Sequence, residues 1–213
     1  MIRQRILETS AAEFLPAEGD LASLRRAAWS CRGCELHRGA RQTVFGEGPS
    51  DAHLVFVADQ PESDDDQVGR PLAGPAGKLF DAVLSEVGID RSSVYGTLAV
   101  KHFKWVLRGR ERLEARASAG EVRACFPWLE AELDAIRPEI IVCLGAVAAK
   151  ALLGPEFRVS REHGQVFSTK WAPCTLATFH PAAILRCPDA IRVDVQQAFI
   201  ADLTRVAERL KNP

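Results

Sequence analysis

Two runs of residues end on side chains that can do acid–base work. The apolar run His53 to Ala58 leads into Asp59, Gln60 and Pro61. The acids Glu62, Asp64, Asp65 and Asp66 follow, then a glycine- and proline-rich stretch from Gly69 to Gly77. A buried run followed by breakers places such a loop at the carboxyl end of a strand and before a helix, the edge of an α/β sheet where ligands bind. A second run, Cys174 to Phe179, ends the same way in His180-Pro181. A carboxylate and an imidazole at two such ends point to one shared site. The bland alternatives are a solvated acidic loop and a histidine that caps a helix.

Thiols form the second constellation. Cys31 and Cys34 are spaced to grip one metal or one edge of a cluster. Cys125 and His102 are candidates to complete the set. Zinc held by three Cys and one His fits that ligand count as well as an iron–sulfur cluster does, and ordinary loop thiols are the plainer reading. Cys143 lies inside an apolar strand and reads as core. Cys174 and Cys187 have no partner at motif spacing.

The elements that position these groups follow from periodicity and breakers. Residues 1–20 are a weakly patterned lead-in, and 21–213 read as one domain. Helices are expected over about 21–30, 75–88, 118–136 and 189–210, with a short one from Gly145 to Leu153. Ser118-x-x-Glu121 is a capping box, and Pro138 closes the third of the long helices. Strands are expected near 53–58, 93–100, 139–144, 165–169 and 174–179. Strands alternating with helices give an α/β fold: a three-layer αβα sandwich on a mostly parallel, four-stranded sheet.

The 213 residues carry a formal charge of −1 and are 47% apolar, which suffices for one good core and excludes a global field for polyanions. The longest apolar stretch, Ile140 to Gly154, is too short for a bilayer span. The first residues lack an apolar segment of signal-peptide length, so the chain is expected in the cytoplasm with reduced thiols. One local patch is basic. From Lys101 to Arg116, cations outnumber acids and Phe103 and Trp105 are interleaved, a composition suited to phosphate neutralisation and base stacking.

These motifs, in this order, resemble the uracil-DNA glycosylase superfamily, specifically its iron–sulfur family four and the related X type. The similarity runs from about Ser30 to Val206. Ala58 to Asp66 matches the family-four Gly-Glu-x-Pro-Gly-x-x-Glu-Asp element, and Gly69 to Gly77 matches Gly-x-Pro-Phe-Val-Gly-x-Ala-Gly. Ala99 to Trp105 matches the X-type Ala-Val-Lys-His-Phe-Lys-Phe, and His180 to Arg186 matches His-Pro-Ser-x-Leu-Leu-Arg. The resemblance implies a 4Fe-4S cluster on Cys31, Cys34, His102 and Cys125. It also implies excision of a flipped base from single-stranded or duplex DNA by a monomer. Asp59 would then orient water or stabilise the sugar cation, and His180 would bond the departing base. Gln60, Pro61, Leu72 and Leu98 would line the base pocket, while Arg108, Arg110, Arg112 and Arg186 would contact DNA.

The departures from the family pattern fall where the chemistry should be. Asp59 replaces Glu and is one methylene shorter. Leu72 replaces a stacking Phe, and Leu98 replaces the Asn whose amide reads the edge of uracil. Ala182 replaces a phosphate-contacting Ser. Glu114 aligns with the X-type His that bonds covalently to DNA. A carboxylate can attack a sugar cation, but the ester should hydrolyse, so no lasting crosslink is expected. Uracil, another altered base, or DNA binding without excision are the activities this pattern allows.

Overall fold

The structure, a computed structural model, describes residues 10–17 and 19–211. Residues 1–9 and 18 of the expected lead-in lie outside the described residues. Its described part docks through a 3-10 turn, Ala11–Phe14, which lies against the helix Ala119–Ile136 and buries Ala11.

The central sheet is built from β1 (Leu54–Ala58), β2 (Tyr95–Leu98), β5 (Ile140–Leu144), β6 (Val166–Phe167) and β7 (Cys174–Thr178), in the order β2-β1-β5-β7-β6. The first four run parallel, as expected, and β6 adds a fifth, antiparallel edge strand to the predicted four. Only two residues of β6 pair, too few for alternation to announce its direction. The chain leaves β1 toward β2 on one side and later returns to β5 on the other. The carboxyl ends of β1 and β5 therefore form the point where winding reverses, and a crevice opens there.

Strand parity sorts the core into two layers. Val55, Val57, Tyr95, Ile141 and Cys143 face α1 (Leu21–Ala28), α4 (Ala119–Ile136) and α5 (Ala146–Leu153). Leu54, Phe56, Ala58, Leu98, Val142 and Leu144 face α3 (Pro75–Val87), α7 (Pro181–Arg186) and α8 (Asp189–Lys211). The capping box that starts α4 is present: the Glu121 amide donates to Ser118 Oγ at 3.3 Å, and the Ser118 amide donates to Glu121 Oε2 at 2.6 Å.

Two segments expected as loops are structured. The acidic stretch after β1 contains a short helix, α2 (Ser63–Val68). Two of its three acids, Asp65 and Asp66, are buried, and Asp64 is exposed. Asp65 accepts from the amides of Glu62 (3.0 Å) and Ala73 (2.7 Å), and Asp66 accepts from the amide of Arg41 (2.9 Å). The basic stretch after β2 contains a hairpin, β3 (Trp105–Arg108) and β4 (Glu111–Glu114). Gly109 at φ +65° followed by Arg110 at negative φ is the II′ pattern, which matches strand twist. Between α5 and β6, α6 (Val159–Glu162) is a single turn.

One polar network is sealed between the sheet and α4. Glu132 accepts from Tyr95 Oη (2.8 Å), Thr97 Oγ1 (2.9 Å), the Gly46 amide (3.1 Å) and Lys101 Nζ, and neither the Lys101 nor the Glu132 side chain is exposed. Removing one partner of such a pair leaves an uncompensated buried charge. Glu132→Leu is therefore expected to lose about 3–5 kcal/mol of stability in urea titrations, and Lys101→Met on top of it to recover much of that loss. Among the described residues no helix is long and apolar enough to cross a membrane.

Candidate active site

The site is assembled at the reversal point of the sheet. Register pairs Ala58 with Leu144, so Asp59 and Gly145 emerge side by side. Asp59 Oδ1 accepts from the amides of Val147 (2.8 Å) and Ala148 (2.9 Å), the open N–H groups at the start of α5. Gly145 sits at φ +105°, and a Cβ there would lie 2.6 Å from Asp59 Oδ2, so glycine is required both for the backbone and for the approach of the carboxylate. Oδ1 is committed to the helix, which leaves Oδ2 free to face a ligand. Burial pushes the Asp59 carboxyl up to about 6, against the pull of the two amides and of Arg116.

His180 follows β7 and is the N-cap of α7. Its Nδ1 accepts from the Ala182 amide at 3.1 Å. An amide can only donate, so Nδ1 carries no proton and the neutral ring presents Nε2–H. Burial, with a smaller contribution from Arg186, pushes His180 down to about 4, which keeps the ring neutral. The capping reading of this histidine is thus correct, and it is also what fixes the tautomer.

Asp59 and His180 line one cavity of about 410 Å³, together with Gln60, Pro61, Glu114 and Arg186. Glu62, Arg116, Val147 and Ala183 also line it and were not singled out in the sequence. Glu114 ends β4, accepts from the Ser63 amide at 3.0 Å and lies 3.9 Å from Arg186, which pairs with Glu62 at 3.0 Å. The Gln60 amide is wholly engaged: it donates to Ala115 O at 2.8 Å and accepts from the Ala117 amide at 2.6 Å.

Other expected site residues are not brought to this cavity. Leu98 is fully buried in the core beneath α3 and α8, and Leu72, at φ +56°, packs beside that core. Arg108 and Arg112 are on the exposed hairpin and Arg110 is at its turn, outside the cavity lining. The Arg112 guanidinium stacks 4.1 Å from the centroid of Trp105, whose Nε1 donates to Gly39 O at 2.8 Å.

The cysteine constellation forms on the α1–α4 face. Cys31 follows α1, Cys34 starts a 3-10 turn, and Cys125 lies in α4. Trp128 Nε1 donates to Cys31 Sγ and the Lys101 amide to Cys125 Sγ, each at 3.2 Å. His102 is adjacent in sequence to Lys101 and buried. Thr43 Oγ1 spends its proton on Ala28 O (2.9 Å), so at 3.0 Å it must accept from His102 Nε2–H. The Nδ1 lone pair is therefore exposed to no solvent and has no hydrogen-bond partner, as a metal-binding nitrogen oriented by its other N–H would be. Among the described residues no group of three or more His, Cys, Asp or Glu is gathered tightly enough for a single ion. Three thiols and an imidazole nitrogen without a partner are a donor set that both a cluster and zinc accept.

Residues 45–204 match the family model of the uracil DNA glycosylase superfamily. The chain belongs to that superfamily. A type-4 uracil-DNA glycosylase of Archaeoglobus fulgidus is 34% identical over 195 residues, covering 88% of this chain and 92% of that protein. The type-4 enzyme of Pyrobaculum aerophilum is 32% identical over 185 residues, covering 84% and 90%. The crystal structure of wild-type Pedobacter heparinus SMUG2 shares the fold, with a TM-score of 0.55 at 12% identity over 74% of this chain and 77% of that one. Within this superfamily fold, the α/β sheet presents Asp59 and His180 from its parallel strands.

Asp59 and His180 leave opposite marks on stability. Asp59 binds its proton more tightly folded than unfolded, so it contributes stability at low pH that is lost as pH rises from about 4 to about 6. His180 binds its proton less tightly folded, so its contribution grows from about pH 4 to the ordinary histidine range. In thermal melts across this window, the stability difference of wild type minus Asp59→Asn should fall with pH. That of wild type minus His180→Gln should rise. Parallel curves for all three proteins would contradict the assigned protonation states.

Proposed function

We propose that the chain is a DNA N-glycosylase that flips uracil, or another altered base, out of DNA and hydrolyses its bond to deoxyribose. One observation carries this reading: a buried carboxylate and a neutral imidazole, from the ends of two parallel strands, line the same cavity. Stretching the glycosidic bond builds positive charge on the sugar and negative charge on the base. Asp59, ionised above about pH 6, supplies Oδ2 to hold the attacking water and to stabilise the sugar cation. His180 Nε2–H donates to the oxygen of the departing base. As a preorganised dipole it stabilises the developing anion without having to give up a proton. Glu114 stands at the cavity wall, tied to α2, where an ester to the sugar would be open to water.

The base itself is read without the expected side chains. Leu98 has withdrawn into the core, and the Gln60 amide is bound to backbone. Uracil excision by this chain is accordingly slow, and a substrate read by the charged cavity wall is the alternative. The thiol site supports a 4Fe-4S cluster on Cys31, Cys34, His102 Nδ1 and Cys125. When bound, it supplies a structural crosslink that pins the segment after α1, and the stretch leaving β2, to α4. The acting form in this reading is a monomer. A cytoplasmic setting suits cysteines that form no disulfide among the described residues. DNA is the partner, and the described chain acts as one domain.

Release of free base from single- and double-stranded oligonucleotides carrying uracil or other altered bases is the direct assay. Activity is expected to rise through about pH 6, with no adduct accumulating. His180→Ala should lower the rate about 10²–10³-fold, and Asp59→Asn about 10²–10⁴-fold. No release from any base, with DNA binding retained, would leave a non-catalytic DNA-binding relative. For the cluster, protein purified without oxygen should be brown with broad absorbance near about 400 nm. Cys125→Ser should lose colour, iron and sulfide together, whereas colourless, zinc-bearing wild type would refute the cluster.

A further inference from the structure

Three carboxylates line the catalytic cavity, Asp59, Glu62 and Glu114, against two cations, Arg116 and Arg186. A phosphodiester chain entering such a cavity meets net negative charge unless a cation is free to receive it. Arg186 is already engaged by Glu62 at 3.0 Å and by Glu114 at 3.9 Å. Arg116 is different. Among the described residues it has no hydrogen bond or ion pair, and its charge acts on Asp59 at longer range.

The backbone on either side of Arg116 is nevertheless held firmly. Gln60 donates to the carbonyl of the preceding residue, Ala115, at 2.8 Å, and accepts from the amide of the following residue, Ala117, at 2.6 Å. A side-chain amide that spans a single residue in this way fixes where that residue points. Gln60 is itself the neighbour of Asp59, so the clamp sets Arg116 relative to the carboxylate.

We infer that Arg116 is the binding residue for a backbone phosphate flanking the extruded nucleotide, and that Gln60 is its positioning residue. The guanidinium fork suits two phosphate oxygens at once, which an ammonium does not. The site deepens the glycosylase reading and rests on it only for the identity of the nucleotide. The hairpin arginines are a separate matter, since none of them lines the cavity.

The test is binding, measured by fluorescence anisotropy on an oligonucleotide with a tetrahydrofuran abasic analogue, unmodified or with a neutral methylphosphonate on either side of the analogue. One of the two methylphosphonates should weaken wild type about tenfold and leave Arg116→Ala unaffected. Arg116→Ala should reduce the salt slope by about one. Arg116→Lys should keep the slope and recover only part of the affinity. Gln60→Ala should weaken binding, with Arg116→Ala adding little on top of it.

A second readout is the acid limb of base release. Asp59 shares the cavity with Glu114 at the end of β4, Arg116 just after it, Glu62 after β1, and His180 and Arg186 of the α7 segment, and it acts electrostatically on Cys143 of β5. Loss of Arg116 removes a cation from this set, so the limb should move to higher pH. Equal methylphosphonate sensitivity in wild type and Arg116→Ala, or an unchanged salt slope, would overturn the assignment. Methylphosphonate coupling without base release would sink the glycosylase reading and keep the phosphate site. Base release without coupling would do the reverse.

Discussion

Gly145 is the joint on which the site depends. Its amide donates to Thr178 O at 3.0 Å, which ties the end of β7 to the end of β5. One and two residues further on from Ala146, the amides of Val147 and Ala148 take the Asp59 carboxylate from the end of β1. Three parallel strands are thereby fastened at their carboxyl ends through four consecutive residues. Asp59 and His180 are separated by more than a hundred residues of chain, and this fastening is what sets one against the other. It works only in one register. A slip of β1 by one residue would turn Asp59 to the opposite face of the sheet and out of reach of the helix.

The two groups reach their working states by the same device used in opposite senses. Each sits at a helix N-terminus, and each accepts from backbone amides. For Asp59, acceptance stabilises the charged form, and it offsets part of the cost of burial. The result is a carboxylate that titrates near neutrality yet holds its orientation. For His180, acceptance at Nδ1 blocks that nitrogen from a proton, and burial acts in the same direction. The outcome is an acceptor and a donor that coexist above about pH 6 without sharing a proton, which is what a reaction creating a cation and an anion side by side requires.

What was legible in the sequence was what local chemistry decides. Ser118 and Glu121 cap α4 as their spacing required, Gly88 closes α3 at φ +76°, and the apolar runs became the parallel strands. The acid, the imidazole and the glutamate of the cavity were legible too, through position at strand ends or through resemblance. What was missed rests on contacts between distant segments. A solvated acidic loop stood as the alternative for the stretch after β1, because the acceptor roles of Asp65 and Asp66 toward Ala73 and Arg41 lie outside the local pattern. The hairpin read as a basic loop, since most of its residues on both faces are exposed and no apolar alternation marks it. Leu98 was placed in the pocket by alignment, but strand parity turns it into the layer under α3 and α8. Gln60 carried a pocket role by position, whereas its amide is spent on backbone 55 and 57 residues away.

The excursion between β2 and α4 shows how the cavity wall is held to the sheet at both ends. It leaves the sheet where the Val100 amide donates to Asp59 O at 3.2 Å, and it returns where Gln60 clamps Ala115 and Ala117. Both ends are thus stapled to two adjacent residues at the end of β1. Between the staples lie Lys101 and His102, fixed by Glu132 and Thr43, then Trp105 fixed by Gly39. Beyond Trp105 the hairpin projects outward, and its tip has no part in the cavity wall. The staples hold Arg116 and Glu114 at the wall, so the ends of the excursion line the cavity while its middle anchors the stretch to α4 and to the segment after α1.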